Sequence, residues 1–264
     1  MNDKELTDLQ VLLVEPSSTQ QLIIKQFLLD LGISDIKCVD TGKQSLEFLN
    51  QSTPDLIISS MYLPDLTGVD LVQNIRKDSE SYDMAFLLIS SETNINYLEP
   101  IRQAGAIAIL PKPFTSHELD TALSATLDYL NPQKIELNHL DIEDISVLVV
   151  DDSLTSLKYI TKILNDLGID QITKANDGKQ AFELINVHYF DLIVTDFNMP
   201  EMDGLQLTAS IRSESDQKTI PILMVTSEQN KSRLAAVKQA GVSAILDKPF
   251  EPASIRNLII QLLN

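Results

Sequence analysis

The chain has 264 residues, of which 44% are hydrophobic, and it carries a formal net charge of −18. This length suits two domains of ordinary size, each able to bury a core of its own. The negative charge argues against nucleic acids and anionic membrane surfaces as partners, because proteins bind phosphates through an excess of Lys and Arg.

Targeting and redox features of the sequence predict a cytoplasmic protein. The first residues, MNDKELTDLQ, do not form a charged and then apolar leader, and no apolar run approaches the length of a membrane span. Cys38 is the only cysteine, so the chain cannot form an internal disulfide. We therefore expect a reducing compartment and no insertion into a membrane.

The first predicted element is the apolar run VLLVEPSS at 11–18, which recurs as VLVVDDS at 147–153. When Val11 is aligned with Val147, the two halves of the chain pair without a gap to the end of the sequence. Other matching segments include DLGI, GKQ, and AGAIAILPKPF opposite AGVSAILDKPF. Because the period is that of a whole domain and occurs twice, the sequence indicates one duplicated domain.

Between the two copies lies the acidic segment NPQKIELNHLDIEDIS at 131–146. Its Asn-Pro start is a helix stop, and the rest predicts a linker with one short helical piece. The expected domains are therefore 1–130 and 147–264, with 131–146 between them.

The second copy alternates short apolar runs with segments of helical periodicity. The runs begin at 147, 191, 222 and 244, and the more polar QITKA at 171–175 suits an edge strand. One helix is predicted from about Leu154 to Leu167, with Gly168 capping its end. Five strands alternating with five helices predict an α/β fold with a parallel sheet in the flavodoxin-like order 2-1-3-4-5, and the first copy follows the same pattern.

Five polar residues follow predicted strands of the second copy: Asp151, Asp152, Asp196, Thr226 and Lys248. Strand ends gather where the strand order reverses, so we expect these side chains to meet in one shallow pocket. Three nearby carboxylates need a cation, and an all-oxygen set favours Mg²⁺, which commonly takes phosphate oxygens as its other ligands. One carboxylate could then attack phosphorus, although the spacing does not choose which one.

The motifs VLVVDDS, VTDFNMPEMDG, MVTSE and DKPF, in this order, resemble the receiver domain of two-component response regulators, above all the stand-alone chemotaxis regulator. The resemblance covers 147–264. It implies that Asp196 is the phosphoacceptor and that Asp151 and Asp152 hold Mg²⁺ together with Asp196 and the backbone carbonyl of Asn198.

The same resemblance assigns roles to other positions around the phosphoacceptor. Thr226 would bind a phosphoryl oxygen, and Lys248 would neutralise the incoming charge. Asn198 and Glu228 stand at positions that tune dephosphorylation, which suggests a short-lived phosphoryl group. The family's switch position, usually aromatic, is Ile245, so we expect output through another contact, such as the helix after the fourth strand.

The first copy lacks two of the three acidic residues of this pocket. At the corresponding positions stand Glu15, Pro16, Ser60, Ser90 and Lys112. A serine cannot form an acyl phosphate, and a proline offers no side-chain oxygen to a metal. We therefore expect a degenerate pseudo-receiver. Pro100 is predicted to kink its fourth helix, which indicates either a changed partner surface or sequence drift in an unused copy.

The sequence predicts a response regulator without its own output domain, which catalyses no reaction beyond its own phosphorylation and dephosphorylation. A histidine kinase or phosphotransfer protein would supply the phosphoryl group, and a downstream protein or self-association would carry the signal. Two alternatives are a phosphorylation-independent adaptor and the N-terminal part of a longer regulator such as a diguanylate cyclase.

Overall fold

The structure is a computed structural model that describes residues 3–77, 81, 83–92, 94–138, 141–228, 230–250 and 252–264. The chain forms two compact units, residues 1–131 and residues 132–264.

The first unit alternates five strands with five helices after a 3₁₀ turn at Leu6–Asp8. Its elements are β1 (Gln10–Val14), α1 (Ser18–Asp30), β2 (Asp35–Val39), α2 (Gly42–Leu49), β3 (Leu56–Ser60), α3 (Gly68–Lys77), β4 (Ala85–Ser90), α4 (Ile95–Gln103), β5 (Ala108–Pro111) and α5 (Ser116–Leu130). Pro100 lies inside α4, as predicted.

The second unit repeats this order after a 3₁₀ turn at Ile142–Asp144. Its elements are β6 (Ser146–Val150), α6 (Leu154–Asp166), β7 (Gln171–Ala175), α7 (Gly178–Ile185), β8 (Leu192–Asp196), α8 (Gly204–Glu214), β9 (Ile222–Thr226), α9 (Lys231–Gln239), β10 (Ala244–Asp247) and α10 (Pro252–Leu263).

Both sheets are parallel, and both confirm the predicted strand order. The first sheet runs β2-β1-β3-β4-β5, and the second runs β7-β6-β8-β9-β10. In each unit the first strand therefore lies between the second and the third, so that Val150 pairs with Ala175 on one side and with Thr195 on the other. The carboxyl ends of β6 and β8 are neighbours, which places the residues after them side by side.

Residues of β6 alternate between two hydrophobic cores, which explains its continuous apolar sequence. Val147 and Val149 pack with residues of α6 and α10, whereas Leu148 and Val150 pack with residues of α7 and α8. Helices therefore cover both faces of the sheet, as expected for a parallel sheet. Burying each of these side chains contributes about 1.5–3 kcal/mol.

The predicted helix near 154–167 is confirmed as α6, and its ends follow from local chemistry. The side chain of Ser153 accepts a hydrogen bond from the backbone N–H of Ser156 and caps the first turn. Gly168 adopts a φ of +100°, a left-handed conformation that glycine tolerates and that ends the helix.

The segment after residue 131 packs on the second unit. Ile135 is 3% exposed and lies in the core that α6 and α10 share, and its backbone N–H donates to the carbonyl of Leu167 at 2.9 Å. Asn138 N–H donates to the side chain of Asn264 at 3.0 Å. The segment between the two repeats is thus folded against the second unit. Residues 139 and 140 lie outside the described residues.

Within the described ranges, none of the helices combines the length and the hydropathy that crossing a membrane requires.

Candidate functional site

Three strands of the second unit bring two carboxylates and one ammonium group together at the carboxyl edge of the sheet. Asp151 follows β6, Asp196 ends β8, and Lys248 follows β10. The Nζ atom of Lys248 donates to Asp151 Oδ2 and to Asp196 Oδ1, each at 2.8 Å. All three residues are buried, with at most 4% exposure, so these charges interact in a medium that screens them weakly.

Asp151 is held by donors on both of its carboxylate oxygens. The backbone N–H of Ser153 donates to Oδ1 at 2.9 Å, and the hydroxyl of Ser156 donates to Oδ2 at 2.5 Å. Lys248 Nζ also lies 3.1 Å from Ser156 Oγ. Ser156 therefore belongs to the pocket, although the sequence motifs did not identify it. The signal available in the sequence was a hydroxyl in the first turn of α6 where the first repeat has Gln20.

The ionised form of Asp196 is disfavoured in this pocket. Burial raises the pKa of its carboxyl group, Lys248 partly opposes that effect, and Asp151 raises the pKa further, to about 6. The backbone N–H of Asn198 donates to Asp196 Oδ2 at 2.7 Å. Burial alone would lower the pKa of Lys248, but the charges of Asp196 and Asp151 outweigh it and raise that pKa.

Asp152 follows Asp151 in the chain and supplies a third carboxylate, and this residue is exposed. Partial burial and the charge of Asp151 raise the pKa of Asp152. Through the part of the chain that the structure describes, no three His, Cys, Asp or Glu side chains are arranged as a ready metal centre. The ammonium group of Lys248 instead bridges Asp151 and Asp196.

The donor set nevertheless suits a divalent cation. Asp151, Asp152 and Asp196 carry three negative charges against the single positive charge of Lys248, so the pocket has an excess of two negative charges. The available side-chain donors are carboxylate oxygens, which hard cations such as Mg²⁺ prefer. The chemistry of the pocket therefore fits the predicted ion.

Thr226 and Glu228 line the next strand end, on β9 and the loop after it. Thr226 is fully buried, and its hydroxyl accepts the backbone N–H of Glu228 at 3.0 Å. The carboxylate of Glu228 pairs with Arg233, whose guanidinium lies 4.4 Å from the ring centroid of Phe197. Ile245, on β10, packs against the small cluster that contains Phe197.

In the corresponding pocket of the first unit, fewer charged groups meet, and the hydrogen bonds centre on Glu15. Glu15 is 3% exposed, and its Oε2 accepts hydrogen bonds from Lys112 Nζ at 2.8 Å and from the hydroxyl of Ser60. Its Oε1 accepts the backbone N–H of Ser17 at 3.0 Å. Burial raises the pKa of Glu15, but the hydrogen bonds from Lys112, Ser60 and Ser17 outweigh that effect and lower it.

Two other positions of the first pocket can be compared with the second pocket. Pro16 is exposed and stands where the second unit has Asp152. The hydroxyl of Ser90 accepts the backbone N–H of Glu92 at 2.9 Å, as Thr226 does in the second unit. The hydrogen bond in this loop is thus retained in the first unit, whereas two of the three acidic side chains are not.

The two pockets consequently have different charge balances. Glu15 and Lys112 neutralise each other, so the first pocket is complete as one ion pair with two further donors. In the second pocket one lysine faces three carboxylates. A divalent cation would balance the second pocket and has no comparable place in the first.

Two segments of the chain, residues 11–124 and 147–260, match the profile of the response regulator receiver domain. The chain is also similar to the chemotaxis protein CheY-3 of Vibrio cholerae, with 35% identity over 114 residues that cover 43% of this chain and 88% of the relative. The chemotaxis protein CheY of Pseudomonas aeruginosa is 36% identical over 113 residues, which cover 43% of this chain and 91% of that protein.

Solved structures are also similar to this chain. The V. cholerae chemotaxis protein CheY4 is 33% identical to this chain, with a TM-score of 0.43. The matched region covers 45% of this chain and 98% of the CheY4 chain. A structure titled "probable two-component system response regulator/GGDEF domain protein" is 22% identical, covers 97% of this chain and 98% of its own, and also has a TM-score of 0.43.

Proposed function

The chain belongs to the response regulator receiver family, with two receiver domains in tandem, and from that premise we propose that its second domain accepts a phosphoryl group on Asp196 in a Mg²⁺-dependent reaction. In this proposal the domains span 1–130 and 147–264, with 131–146 as the connection. The phosphoryl group comes from a histidine kinase or a phosphotransfer protein, and the chain works in the cytoplasm through protein–protein contacts.

The proposed chemistry starts with a carboxylate oxygen of Asp196, which attacks the phosphorus of a phosphohistidine. A new oxygen–phosphorus bond forms, the nitrogen–phosphorus bond breaks, and the leaving imidazole takes up a proton. Lys248 moves its positive charge toward the arriving phosphoryl group, and the hydroxyl of Thr226 donates to a phosphoryl oxygen. Mg²⁺, held by Asp151, Asp152, Asp196 and the backbone carbonyl of Asn198, would neutralise charge between the carboxylates and the phosphoryl group.

The excess of negative charge in the second pocket is the observation that carries this proposal. Two buried carboxylates share one ammonium group, and Asp152 adds a third negative charge at the rim. Carboxylates collected in this way destabilise a fold unless a cation or a proton joins them. A site that binds a cation and then a phosphoryl group explains why such an arrangement is kept.

Asn198 and Glu228 are proposed to set the lifetime of the phosphoryl group. Asn198 follows the phosphoacceptor by two residues, and its backbone N–H contacts the carboxylate of Asp196. Glu228 follows Thr226 by two residues and is paired with Arg233. Ile245 packs beside Phe197 and Met224, so we propose that output passes through this cluster and α9 rather than through a rotating aromatic ring.

The first domain is proposed to be a pseudo-receiver that serves as an interaction module. Ser60 stands in the place of the phosphoacceptor, and Glu15 is already neutralised by Lys112. This closed pocket also supports the second candidate function, an adaptor whose binding does not depend on phosphorylation. In both cases the first domain acts through its shape and surface.

Intact mass after treatment with a small-molecule phosphodonor and Mg²⁺ tests the proposal. The native chain should gain one phosphoryl group, Asp196→Ala should gain none, and Ser60→Ala should behave as the native chain does. Replacing Mg²⁺ by a chelator should abolish the gain. Labelling that persists in Asp196→Ala would contradict the assignment, and no labelling of the native chain would favour the adaptor.

A further inference from the structure

We propose that Ser156 is a positioning residue that fixes the metal-binding carboxylate of Asp151. The inference rests on the proposed function of the second domain and extends it to a residue outside the receiver motifs. Ser156 lies in the first turn of α6 and is 4% exposed. Its hydroxyl is therefore committed to the pocket rather than to water.

The hydroxyl of Ser156 connects the two charged groups that must respond when the site is loaded. It lies 2.5 Å from Asp151 Oδ2 and 3.1 Å from Lys248 Nζ. The ammonium group of Lys248 contacts the carboxylates of Asp151 and Asp196 and the hydroxyl of Ser156, and of these three acceptors Ser156 is the uncharged one.

This arrangement gives Ser156 a definite part in loading the pocket. When Lys248 turns toward a phosphoryl group, its bond to a neutral hydroxyl is the least costly of the three to give up, because hydrogen bonds between charged partners are the stronger ones. After that movement Ser156 O–H and Ser153 N–H still donate to the two oxygens of Asp151. The carboxylate thus keeps a donor on each of its oxygens when Lys248 moves.

The first domain shows the same backbone without this contact. Gln20 occupies the corresponding position of α1, and the hydroxyl that donates to the acid there comes from Ser60, across the pocket. A hydroxyl at this helical position is therefore found in the domain that has the acidic pair Asp151 and Asp152, and not in the other domain.

Mg²⁺ affinity is the property that this role predicts. Removing a group that orients a metal ligand typically weakens metal binding by about 10–100-fold. We expect Ser156→Ala to raise the dissociation constant for Mg²⁺ about 10-fold. Ser156→Thr keeps the hydroxyl and should stay close to the native value, and Thr155→Ala removes a hydroxyl from the adjacent position as a matched control.

The dissociation constant is measured on the full chain from the Mg²⁺-dependent rise in the unfolding midpoint of the second domain, since a ligand that binds the folded state stabilises it by mass action. The Mg²⁺ concentration for half-maximal phosphorylation should rise in parallel, while the rate at saturating Mg²⁺ changes less. A midpoint measured without Mg²⁺ shows that each variant is folded.

Three results would overturn the role of Ser156: a native dissociation constant in Ser156→Ala, an equal loss in Ser156→Thr, or an equal loss in Thr155→Ala. These results are distinct from failure of the proposed function. If the native chain neither responds to Mg²⁺ nor accepts a phosphoryl group, the proposed function fails and the role of Ser156 fails with it.

Discussion

Replacing Asp196 by Asn removes a carboxyl group whose ionised form is disfavoured in the second pocket. Burial raises the pKa of Asp196, Lys248 partly counteracts this, and Asp151 adds to it, so that the pKa rises from 3.8 to about 6. The folded state therefore binds a proton at this carboxylate more tightly than the unfolded state does.

The sign and size of the effect follow from that difference. Between about pH 4 and pH 6 the folded state holds more protons than the unfolded state, so the free energy of unfolding falls as the pH rises. A shift of about two pKa units corresponds to a loss of up to about 3 kcal/mol that is complete above pH 6. Asn does not titrate, so Asp196→Asn should escape this loss.

The assay is urea-dependent hydrogen exchange of the full chain, followed by mass spectrometry, in a buffer that contains a chelator. Peptides from β6 and β8 report on the second domain alone. At about pH 8 Asp196→Asn should be more stable than the native chain by up to about 3 kcal/mol, and near pH 4 the two should converge. Ser60→Ala, at the corresponding position of the first domain, is the control and should leave these peptides unchanged.

An Asp196→Asn variant that is less stable than the native chain at neutral pH would contradict this prediction. So would a difference in the free energy of unfolding that does not change with pH. Either result would mean that Lys248 fully compensates both carboxylates, and the pocket would then have no excess charge for Mg²⁺ to balance.

Three further substitutions test other parts of the account. Glu15→Gln should lower the free energy of unfolding of the first domain by about 1.5–3 kcal/mol at neutral pH, because it removes the charged acceptor of Lys112. Since the pKa of Glu15 is lowered in the folded state, the native chain should lose this stabilisation as the pH falls through that folded-state pKa, and the variant should not. Urea unfolding at several pH values, read from peptides of β1, measures both the loss of stability and its pH dependence. Equal acid sensitivity of the variant and the native chain would contradict the prediction. Pro16→Asp combined with Ser60→Asp should create a Mg²⁺-dependent rise in the unfolding midpoint of the first domain, and a midpoint indifferent to Mg²⁺ would count against the charge argument. Ile135→Ala should destabilise the second domain by about 2–4 kcal/mol, because the side chain of Ile135 is 3% exposed in the core of that domain. As a control in the same urea titration, Glu136→Ala, at the exposed neighbouring residue, should change the free energy of unfolding by less than about 0.5 kcal/mol. Equal effects of the two substitutions would show that the segment does not pack there.

The fold could be predicted from the sequence because local and global patterns agree. The apolar runs of β6 and β8 read as strands buried on both sides, and the structure places them in the centre of the sheet. The repeat then transferred every element of the second domain to the first. The segment at 131–146 was different: its acidic, Pro-containing sequence hides apolar side chains such as Ile135 and Ile145, whose burial depends on contacts with the core that α6 and α10 share.

The pocket was predictable in its members and less so in its connections. Strand order places Asp151, Asp196 and Lys248 at one edge, and the structure brings them into contact. Which groups a lysine reaches depends on side-chain geometry, which spacing does not encode. For that reason the sequence did not identify Ser156 as a member of the pocket. It also did not predict that the longer side chain of Glu15 would reach Ser60 and Lys112 together.

Locating the phosphoryl group on the chain tests directly whether Asp196 is the phosphoacceptor. After treatment with a phosphodonor and Mg²⁺, borohydride reduces an aspartyl phosphate to homoserine, and peptide mass mapping then identifies the modified residue. We expect homoserine at position 196 and an unmodified Ser60. Modification at another acid, or a phosphoryl group retained on Ser60, would contradict it.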